Sequence, residues 1–340
     1  MSLSIRSLLA LVISFGVVII FGPWWIAYLR RKKLGETTDQ TDSERLNQIH
    51  STKKGTPSMG GFLILLGTGI ASLIVGQWNF YLFFGLATLF SFGAIGFHDD
   101  WKKIQNRGGQ GLLPKQKVLL QMGLSFSLGL ALYLFEGEFF LSSLASRITI
   151  SLLPFWILFA MFVITGSSNS VNLTDGLDGL ASGSSLPVFA ALMVVAFISG
   201  QNHLSSLFAV HFIPGAEEMG LLIAALIGGI LGFLWFNCYP AQIFMGDTGS
   251  LAIGAFLGAS ALALNQAFLL ILLAIVFVIE TLSVILQVAS YKLFKKRIFK
   301  IAPIHHHFQF EGLEETKITV RFWIISTIAA FGTLLTFVGA

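Results

Sequence analysis

The segment Asn169-Ser-Val-Asn-Leu-Thr-Asp-Gly-Leu-Asp-Gly-Leu-Ala-Ser-Gly183 is a polar interval in a strongly apolar chain. It lies between the apolar runs 152–164 and 186–198. It carries two amides and two carboxylates, Asn169, Asn172, Asp175 and Asp178. The two carboxylates are three positions apart and would share one face if the segment were helical. Such a concentration of polar side chains between apolar runs indicates a functional site.

The composition is that of an integral membrane protein. The 340 residues are 55% hydrophobic and 11% charged, with a mean hydropathy of +0.80, whereas about a quarter of the residues in a soluble chain are charged. Apolar runs of about 20 residues recur along the chain and predict membrane-spanning helices. The runs do not alternate apolar and polar residues, which excludes a membrane barrel. The fold class is therefore predicted to be an all-α integral membrane protein, and the single cysteine excludes an internal disulfide.

The apolar runs predict ten transmembrane helices. The candidate spans are 8–29, 59–76, 79–97, 118–135, 152–167, 184–200, 218–236, 250–265, 267–290 and 321–339. Alternation of the spans puts five loops on one side: 30–58, 98–117, 168–183, 237–249 and 291–320. Except for Arg6 and Arg147, all of the 21 Lys and Arg residues fall on this side or at its margin.

Such an excess of Lys and Arg marks cytoplasmic loops. We therefore expect the five loops to be cytoplasmic and both termini to lie on the outer (periplasmic or extracellular) side. The whole chain, 1–340, is interpreted as one polytopic domain whose cytoplasmic loops form the active site.

Two short acidic motifs lie in these loops. Asp99-Asp100, followed by Lys102 and Lys103, would suit a hard cation with its phosphate partner, or would be an ordinary solvated helix end. Phe244-Met-Gly-Asp-Thr-Gly-Ser250 places Asp247 between glycines just before a span, where a ligand can approach the backbone and an anion is favoured. The same residues would also serve as a helix N-cap.

Two further motifs are suited to phosphate. Pro303-Ile-His-His-His307 would hydrogen-bond a phosphate or move a proton near neutral pH, or would be a partly exposed loop cluster. Lys53-Lys-Gly-Thr-Pro-Ser-Met-Gly-Gly61 lacks the spacing of a P-loop and suits either a phosphate or lipid headgroups. The same two interpretations hold for Lys115 and Lys117.

Glu280 and Gln287 are polar residues inside the ninth apolar run and share one helix face, being seven positions apart. Polar groups inside a span usually face protein or water, and Glu280 is interpreted first as a buried structural partner. The five acids Asp99, Asp100, Asp175, Asp178 and Asp247 are expected to converge at the cytoplasmic surface. With the lysines and histidines they indicate metal-assisted chemistry on a diphosphate.

The motifs together resemble one family. They are Lys53-Lys-Gly-Thr-Pro-Ser-Met-Gly-Gly61, Asp99-Asp100, Ser168-Asn-Ser-Val-Asn-Leu-Thr-Asp-Gly-Leu-Asp-Gly179, Phe244-Met-Gly-Asp-Thr-Gly-Ser250 and Ala302-Pro-Ile-His-His-His307. In this order they resemble the phospho-N-acetylmuramoyl-pentapeptide transferases, within the polyprenyl-phosphate N-acetylhexosamine-1-phosphate transferase superfamily. The resemblance extends from about residue 45 to the end of the chain. Ser58 stands where Thr is common in the family, and Gln309 where Glu is common.

The resemblance implies an enzyme of the bacterial cytoplasmic (inner) membrane. It would transfer phospho-MurNAc-pentapeptide from UDP-MurNAc-pentapeptide to undecaprenyl phosphate and release UMP. It implies Mg²⁺ as cofactor, membrane lipid as surroundings and a homodimer as assembly, with no nucleic-acid partner. Asp247 would bind the metal, Asp99 would act as base toward the lipid phosphate, and Asp100 would assist.

The candidate site residues follow from the motifs and the resemblance. The catalytic candidates are Asp99, Asp100, Asp247, His305 and His306. The substrate-binding candidates are Lys53, Ser58, Lys103, Lys115, Asn172, Asp175, Asp178, Asn237, Phe244, Gly246, Gln287 and His307.

The sequence leaves three alternatives open. The transfer would occur in one step, or through a covalent intermediate on Asp99 or Asp100. The nearer functional alternative is a UDP-GlcNAc:polyprenyl-phosphate transferase. A transporter would carry ionisable groups inside its spans, and Glu280 alone meets that description.

Overall fold

The computed structural model describes residues 2–32, 55–106, 110–136, 139–142, 147–150 and 153–337. Thirteen helices and one hairpin lie within these ranges. The helices are α1 (Leu3–Arg31), α2 (Gly61–Val75), α3 (Phe80–Gln105), α4 (Pro114–Glu136), α5 (Leu153–Thr174), α6 (Leu180–Ser199), α7 (Asn202–Leu207), α8 (Glu217–Asn237), α9 (Gly246–Ala263), α10 (Leu270–Leu273), α11 (Ile275–Phe294), α12 (Ile304–Phe310) and α13 (Glu315–Leu335).

Nine of the ten apolar segments each coincide with one long helix, and the segment 267–290 covers the short helix α10 and most of α11. Eight of these helices are long and apolar enough to cross a membrane, so the prediction of a multi-pass, helical membrane protein is confirmed. The other two are α2, with 15 residues, and α9, with 18. The number of ten spans and the sides of the termini stay predictions.

The structure contains one element that the predicted all-α class does not include. Strands β1 (Phe139–Ser142) and β2 (Arg147–Ile150) form an antiparallel hairpin in which Phe139 pairs with Ile150. The hairpin occupies the connection between α4 and α5.

Two helices form the centre of the bundle. Every residue of α9 from Asp247 to Ala263 is buried, and α8 is buried along most of its length. Helix α9 packs between α3 and α5, while α8 packs against α1, α2 and α6. Helices α1, α4, α11 and α13 are peripheral and expose many large apolar side chains. This arrangement suits a bundle whose outer face contacts lipid.

A buried ion pair joins α1, α2 and α8 at the end of the bundle opposite Asp247. The Arg6 guanidinium donates two hydrogen bonds of 2.7 Å to the Glu218 carboxylate and one of 2.9 Å to the Val75 carbonyl. The second carboxylate oxygen also accepts from the Gln77 amide at 2.9 Å. Because both charged side chains are almost fully buried, each charge is compensated by the other and not by water.

Replacing Arg6 with methionine is expected to destabilise the protein by about 3 kcal/mol, because the Glu218 carboxylate would stay buried without its cation. The double variant Arg6→Met/Glu218→Leu should recover most of this loss. Thermal unfolding in detergent measures both, and Arg31→Met, an exposed change on the same helix, is the control. Equal loss in the single and double variants would show that the pair does not stabilise the bundle.

Candidate active site

The two glycine-containing motifs before α2 and α9 lie side by side. The Phe244 amide donates to the Pro57 carbonyl at 2.8 Å, and the Gly60 amide donates to the Phe244 carbonyl at 2.8 Å. A third bond joins the Gly61 amide to the Met245 carbonyl at 2.9 Å. This ladder brings Ser58 next to the beginning of α9.

Asp100 caps α9 from the end of α3. Its carboxylate accepts from the Asp247 amide at 3.1 Å, the Thr248 amide at 2.9 Å and the Thr248 hydroxyl at 2.6 Å. The first amides of a helix have no partner within the helix, so Asp100 satisfies two donors that would otherwise be buried and unpaired. A methyl group at Gly96 would overlap the Asp247 backbone, so glycine allows α3 to approach this closely.

Gly246 makes the turn that starts α9. Its φ of +72° lies in the left-handed region, which glycine adopts without strain. A Cβ atom here would also lie 2.7 Å from both Asp100 Oδ2 and Ser58 Oγ. Glycine is therefore required for the conformation and for the space.

Three carboxylates and two lysines meet at this point. Oxygens of Asp99, Asp100 and Asp247 lie within 4.8 Å of one another. Lys103 Nζ lies 2.7 Å from Asp99 Oδ2 and 3.0 Å from Asp247 Oδ2. Lys117 Nζ lies 2.6 Å from the same Asp247 oxygen and 3.9 Å from Asp99 Oδ2. The lysines thus compensate the charge of acids that are themselves buried.

Asn172 attaches α5 to this cluster. Its Nδ2 donates to Asp247 Oδ1 at 2.7 Å and contacts Ser250 Oγ at 2.8 Å. Both oxygens of the Asp247 carboxylate are therefore engaged, one by the lysines and the other by the amide of Asn172.

Of the five acids that are expected to converge, three form the cluster. The two acids of the polar interval are not part of it. Asp175 and Asp178 lie in the turn between α5 and α6, so the condition under which they would share one helix face is not met. The Asp178 carboxylate accepts from the Ala241 amide at 2.9 Å, and its own amide donates to Glu315 at 2.7 Å. Asp178 thus joins this turn to the loop before α9 and to α13.

Asn237 joins the same two loops. Its Oδ1 accepts from the Gly179 amide at 3.1 Å and from the Ser182 hydroxyl at 3.0 Å. Its Nδ2 donates to the Ile243 carbonyl at 3.0 Å. The side chain of this candidate substrate-binding residue is engaged in holding the backbone around the site.

The three consecutive histidines of α12 have different partners. His305 Nδ1 lies 3.0 Å from Glu280 Oε2, and both side chains are fully buried. His306 Nδ1 lies 2.8 Å from Gln309 Oε1, and His307 Nδ1 accepts from the Lys300 amide at 3.2 Å. Glu280 is thus a buried partner, and its partner belongs to the histidine motif.

The polar interval contacts both groups of residues. Asn172 reaches Asp247, and a methyl group at Gly176 would overlap the His305 ring. Thr281 also donates to Ser170 Oγ at 2.7 Å, which joins α11 to α5. The polar interval, at the end of α5 and in the turn after it, therefore lies between the acid cluster and the histidine motif.

The remaining candidates are distributed as follows. Ser58 Oγ is buried beside Gly246 and Asp100, with no hydrogen-bond partner among the described residues. Lys115 is exposed, whereas Lys117 on the same helix reaches the acids. The side chain of Phe244 is partly buried while its backbone pairs with the segment before α2, and Lys53 lies outside the described residues.

Three side chains that are not among the candidate residues also contribute to the site. Lys117, Thr248 and Glu280 each contact a candidate catalytic residue. Thr248 and Lys117 lie within or beside recognised motifs, so their positions carried a signal. The partner of Glu280 is 25 positions away, and no sequence pattern indicates that contact.

The acid cluster has the donor chemistry of a magnesium site. Its three carboxylates offer hard oxygen ligands, which Mg²⁺ prefers, and they lie close enough to share one ion. Two ammonium groups already neutralise these oxygens, which shows that the arrangement requires positive charge.

A bundle of membrane-length helices with acids and lysines gathered at one end defines a membrane-embedded enzyme. Residues 82–265 match the model of Glycosyl transferase family 4. The phospho-N-acetylmuramoyl-pentapeptide-transferase of Campylobacter hominis is 45% identical, covering 96% of this chain and 92% of that protein. The enzymes with this name from Borrelia hermsii (42% identity; 98% and 95% covered) and Neisseria meningitidis serogroup C (40%; 95% and 90%) are also similar.

The chain therefore belongs to the phospho-N-acetylmuramoyl-pentapeptide transferase family. It is an enzyme, a transferase, as the motifs predict.

The cap on α9 generates a stability prediction. Asp100→Ala removes the acceptor of the Asp247 and Thr248 amides and should destabilise the protein by about 1–2 kcal/mol. Asp100→Asn keeps one oxygen, which can still accept from the Thr248 amide and hydroxyl, but its Nδ2 then faces the Asp247 amide, so this variant should recover only part of the loss. Thermal unfolding in detergent compares the two variants, and equal losses would contradict a capping role for Asp100.

Proposed function

We propose that this enzyme transfers phospho-MurNAc-pentapeptide from UDP-MurNAc-pentapeptide to undecaprenyl phosphate. The products are UMP and the first lipid-linked precursor of peptidoglycan, lipid I. The observation that carries the proposal is the cluster in which Asp99 and Asp247 share Lys103 and Lys117. Such a cluster suits a diphosphate, whose transfer requires positive charge beside the phosphoryl oxygens.

The two lysines bind and orient the reacting phosphates. Lys103 and Lys117 approach the same Asp247 oxygen from α3 and α4, so both ammonium groups are directed at one point. Asp99 holds Lys103 with one oxygen and accepts the Leu112 amide with the other, at 2.6 Å. In the proposed reaction Asp99 takes the proton of the lipid phosphate as it attacks the β-phosphate of the nucleotide sugar.

Asp247 is the proposed ligand of Mg²⁺, with Asp99 and Asp100 beside it. A bound Mg²⁺ would polarise phosphoryl oxygens and neutralise charge that develops during transfer. Asn172 orients the Asp247 carboxylate, and Asp100 fixes the backbone from which it projects.

The remaining candidates are assigned to substrate by their place around the cluster. Ser58, Gly246 and Phe244 lie at the N-terminal end of α9. We assign them, together with Lys53, Asn172 and Asp175, to binding of the nucleotide. His305, His306 and His307 are proposed to contact phosphate or the sugar. Asp178, Asn237 and Gln287 act by holding the surrounding loops, since their side chains bond to backbone groups there. Lys115, exposed at the start of α4, is left to contact the more distant parts of the substrate.

Release of UMP by the purified enzyme tests the function. With undecaprenyl phosphate and Mg²⁺, we expect turnover with UDP-MurNAc-pentapeptide and none with UDP-GlcNAc. Asp247→Ala should lower the rate by about a hundredfold or more, and a chelator should abolish it. Glu314→Gln, which removes an exposed acid paired with Lys317, is the control and should keep the rate.

The outcomes separate the alternatives. Turnover with UDP-GlcNAc would assign the chain to a different substrate, and no turnover by a folded preparation would contradict the proposal. Without undecaprenyl phosphate, a covalent route would still release UMP once per enzyme, because an aspartate would take the phosphoryl group. The one-step route that we propose releases none until the lipid is added.

We further propose that the enzyme lies in the bacterial cytoplasmic membrane as one domain with ten spans, and that the acid cluster is on the cytoplasmic side. The loops 30–58, 98–117, 168–183, 237–249 and 291–320 would then form the site, with both termini outside. A homodimer is the proposed assembly, which light scattering of the purified enzyme tests.

The native cysteine reports the orientation. Cys238 is exposed in the loop before α9, so a membrane-impermeant maleimide should label it in inverted vesicles and leave it unlabelled in intact spheroplasts. Ser206→Cys in a Cys238→Ser background places the thiol at an exposed position on the proposed outer side. This variant should give the opposite result, and the same labelling pattern for both cysteines would contradict the topology.

A further inference from the structure

The end of α11 and the loop after it form a strongly basic surface, here called the basic ridge and defined as residues 291–300. Half of its ten residues are cationic: Lys292, Lys295, Lys296, Arg297 and Lys300. Between Glu280 and Glu311 the sequence contains no acidic residue. The ridge therefore concentrates positive charge without local acids to offset it.

Large apolar side chains are interleaved with these cations. Leu293 is 74% exposed and Phe294 is 69% exposed, while Tyr291 and Ile298 are also exposed. A fully solvated loop would not place such side chains outward at this density. Cations and apolar groups on one surface are typical of contact with the interface of a membrane.

Hydrogen bonds hold the ridge in a defined conformation. Gln287 Nε2 donates to the Phe299 carbonyl at 2.9 Å, and Gln287 Oε1 accepts from the Ile298 and Phe299 amides at 3.1 and 2.9 Å. The Ser290 hydroxyl donates to the Lys296 carbonyl at 2.8 Å. These bonds fold the loop back along α11, so the cations are held in place before any ligand arrives.

Four of the five cations make no ion pair within the described part of the chain. Lys300 is the exception, because it bonds to Glu311 at 2.6 Å, and this bond holds the pKa of the Glu311 carboxyl below its usual range. The lysines of the acid cluster, by contrast, are both paired with carboxylates. The ridge is thus a set of preorganised cations available to an external anion.

We propose that the basic ridge binds the anionic headgroups of membrane phospholipids. The ridge continues directly from α11, which is long and apolar enough to cross a membrane, so it ends where headgroups are expected. Basic residues at such a position attract anionic lipid. The exposed apolar side chains would enter the interface beside the headgroups, which a free phosphate in solution would not require.

Lipid contact would also bear on the histidine motif. The Lys300 amide donates to His307 Nδ1 at 3.2 Å. The rings of Phe299 and His307 meet edge to face, with 5.8 Å between their centroids. The ridge and α12 are therefore joined, so headgroups on the ridge would keep the histidines at the level of the membrane surface. This consequence rests on the proposed function, whereas lipid binding itself does not.

Native mass spectrometry of the full-length protein in detergent tests the binding. The probes are phosphatidylglycerol and phosphatidylcholine, titrated separately and without substrate. The wild-type protein should bind phosphatidylglycerol at least tenfold more tightly, and 1 M salt should weaken this preference. The variant Lys292→Gln/Lys295→Gln/Lys296→Gln/Arg297→Gln should bind the two lipids about equally.

Two variants control for folding and for net charge. Arg31→Gln/Lys32→Gln/Lys317→Gln/Arg321→Gln removes four exposed cations elsewhere and should keep the preference for phosphatidylglycerol. Lys292→Arg/Lys295→Arg/Lys296→Arg keeps the charges of the ridge and should behave as wild type. The proposal is overturned if the ridge variant, eluting as a folded protein, keeps the preference, or if the charge control loses it equally.

A second measurement addresses the histidine motif. UMP release in vesicles should rise with the fraction of phosphatidylglycerol for wild type and stay constant for the ridge variant. A lipid preference without any UMP release would refute the proposed reaction and leave the lipid site in place. UMP release without a lipid preference would refute the lipid site and leave the proposed reaction in place.

Discussion

The arrangement of the site depends on the bond between the end of α3 and the beginning of α9. Asp100 is a buried carboxylate that receives three hydrogen bonds from Asp247 and Thr248. A buried carboxylate is costly unless such donors satisfy it, and the first turn of a helix has amides to give. One interaction thus satisfies both groups, and it fixes Asp247 beside Asp99. The lysines, Asn172 and the proposed metal ligands all follow from that placement.

Much of this organisation could be predicted from the sequence. Apolar runs located every long helix, because hydrophobic length alone defines a membrane span, and the polar motifs located the ends of α3, α5 and α9. Motif spacing does not, however, say which of two neighbouring side chains faces the site. Lys115 and Lys117 carry the same charge two positions apart in the sequence, yet only Lys117 of the two is directed at Asp247. That choice depends on how α4 packs beside α3, which no local pattern records.

The acids show the same limit. Their residue type and their shared side of the membrane predicted convergence, but Asp178 is engaged by the Ala241 amide and by the link to α13. Glu280 shows a different limit. It is a buried structural partner, as interpreted from the sequence, but the sequence does not indicate that its partner is His305 of the histidine motif. Because both groups are fully buried, each determines the orientation of the other, so Glu280 fixes which edge of the His305 ring faces Gly176.

The charge balance of the cluster constrains how a substrate can enter. Lys103 and Lys117 are held by Asp99 and Asp247, so a phosphate can bind these lysines only by drawing them away from the carboxylates. Two buried carboxylates would then lack a cation, which is costly because they are shielded from water. A divalent cation entering with the diphosphate would restore the balance, since it supplies two positive charges to the same oxygens. The proposed requirement for Mg²⁺ therefore follows from the lysines as much as from the acids.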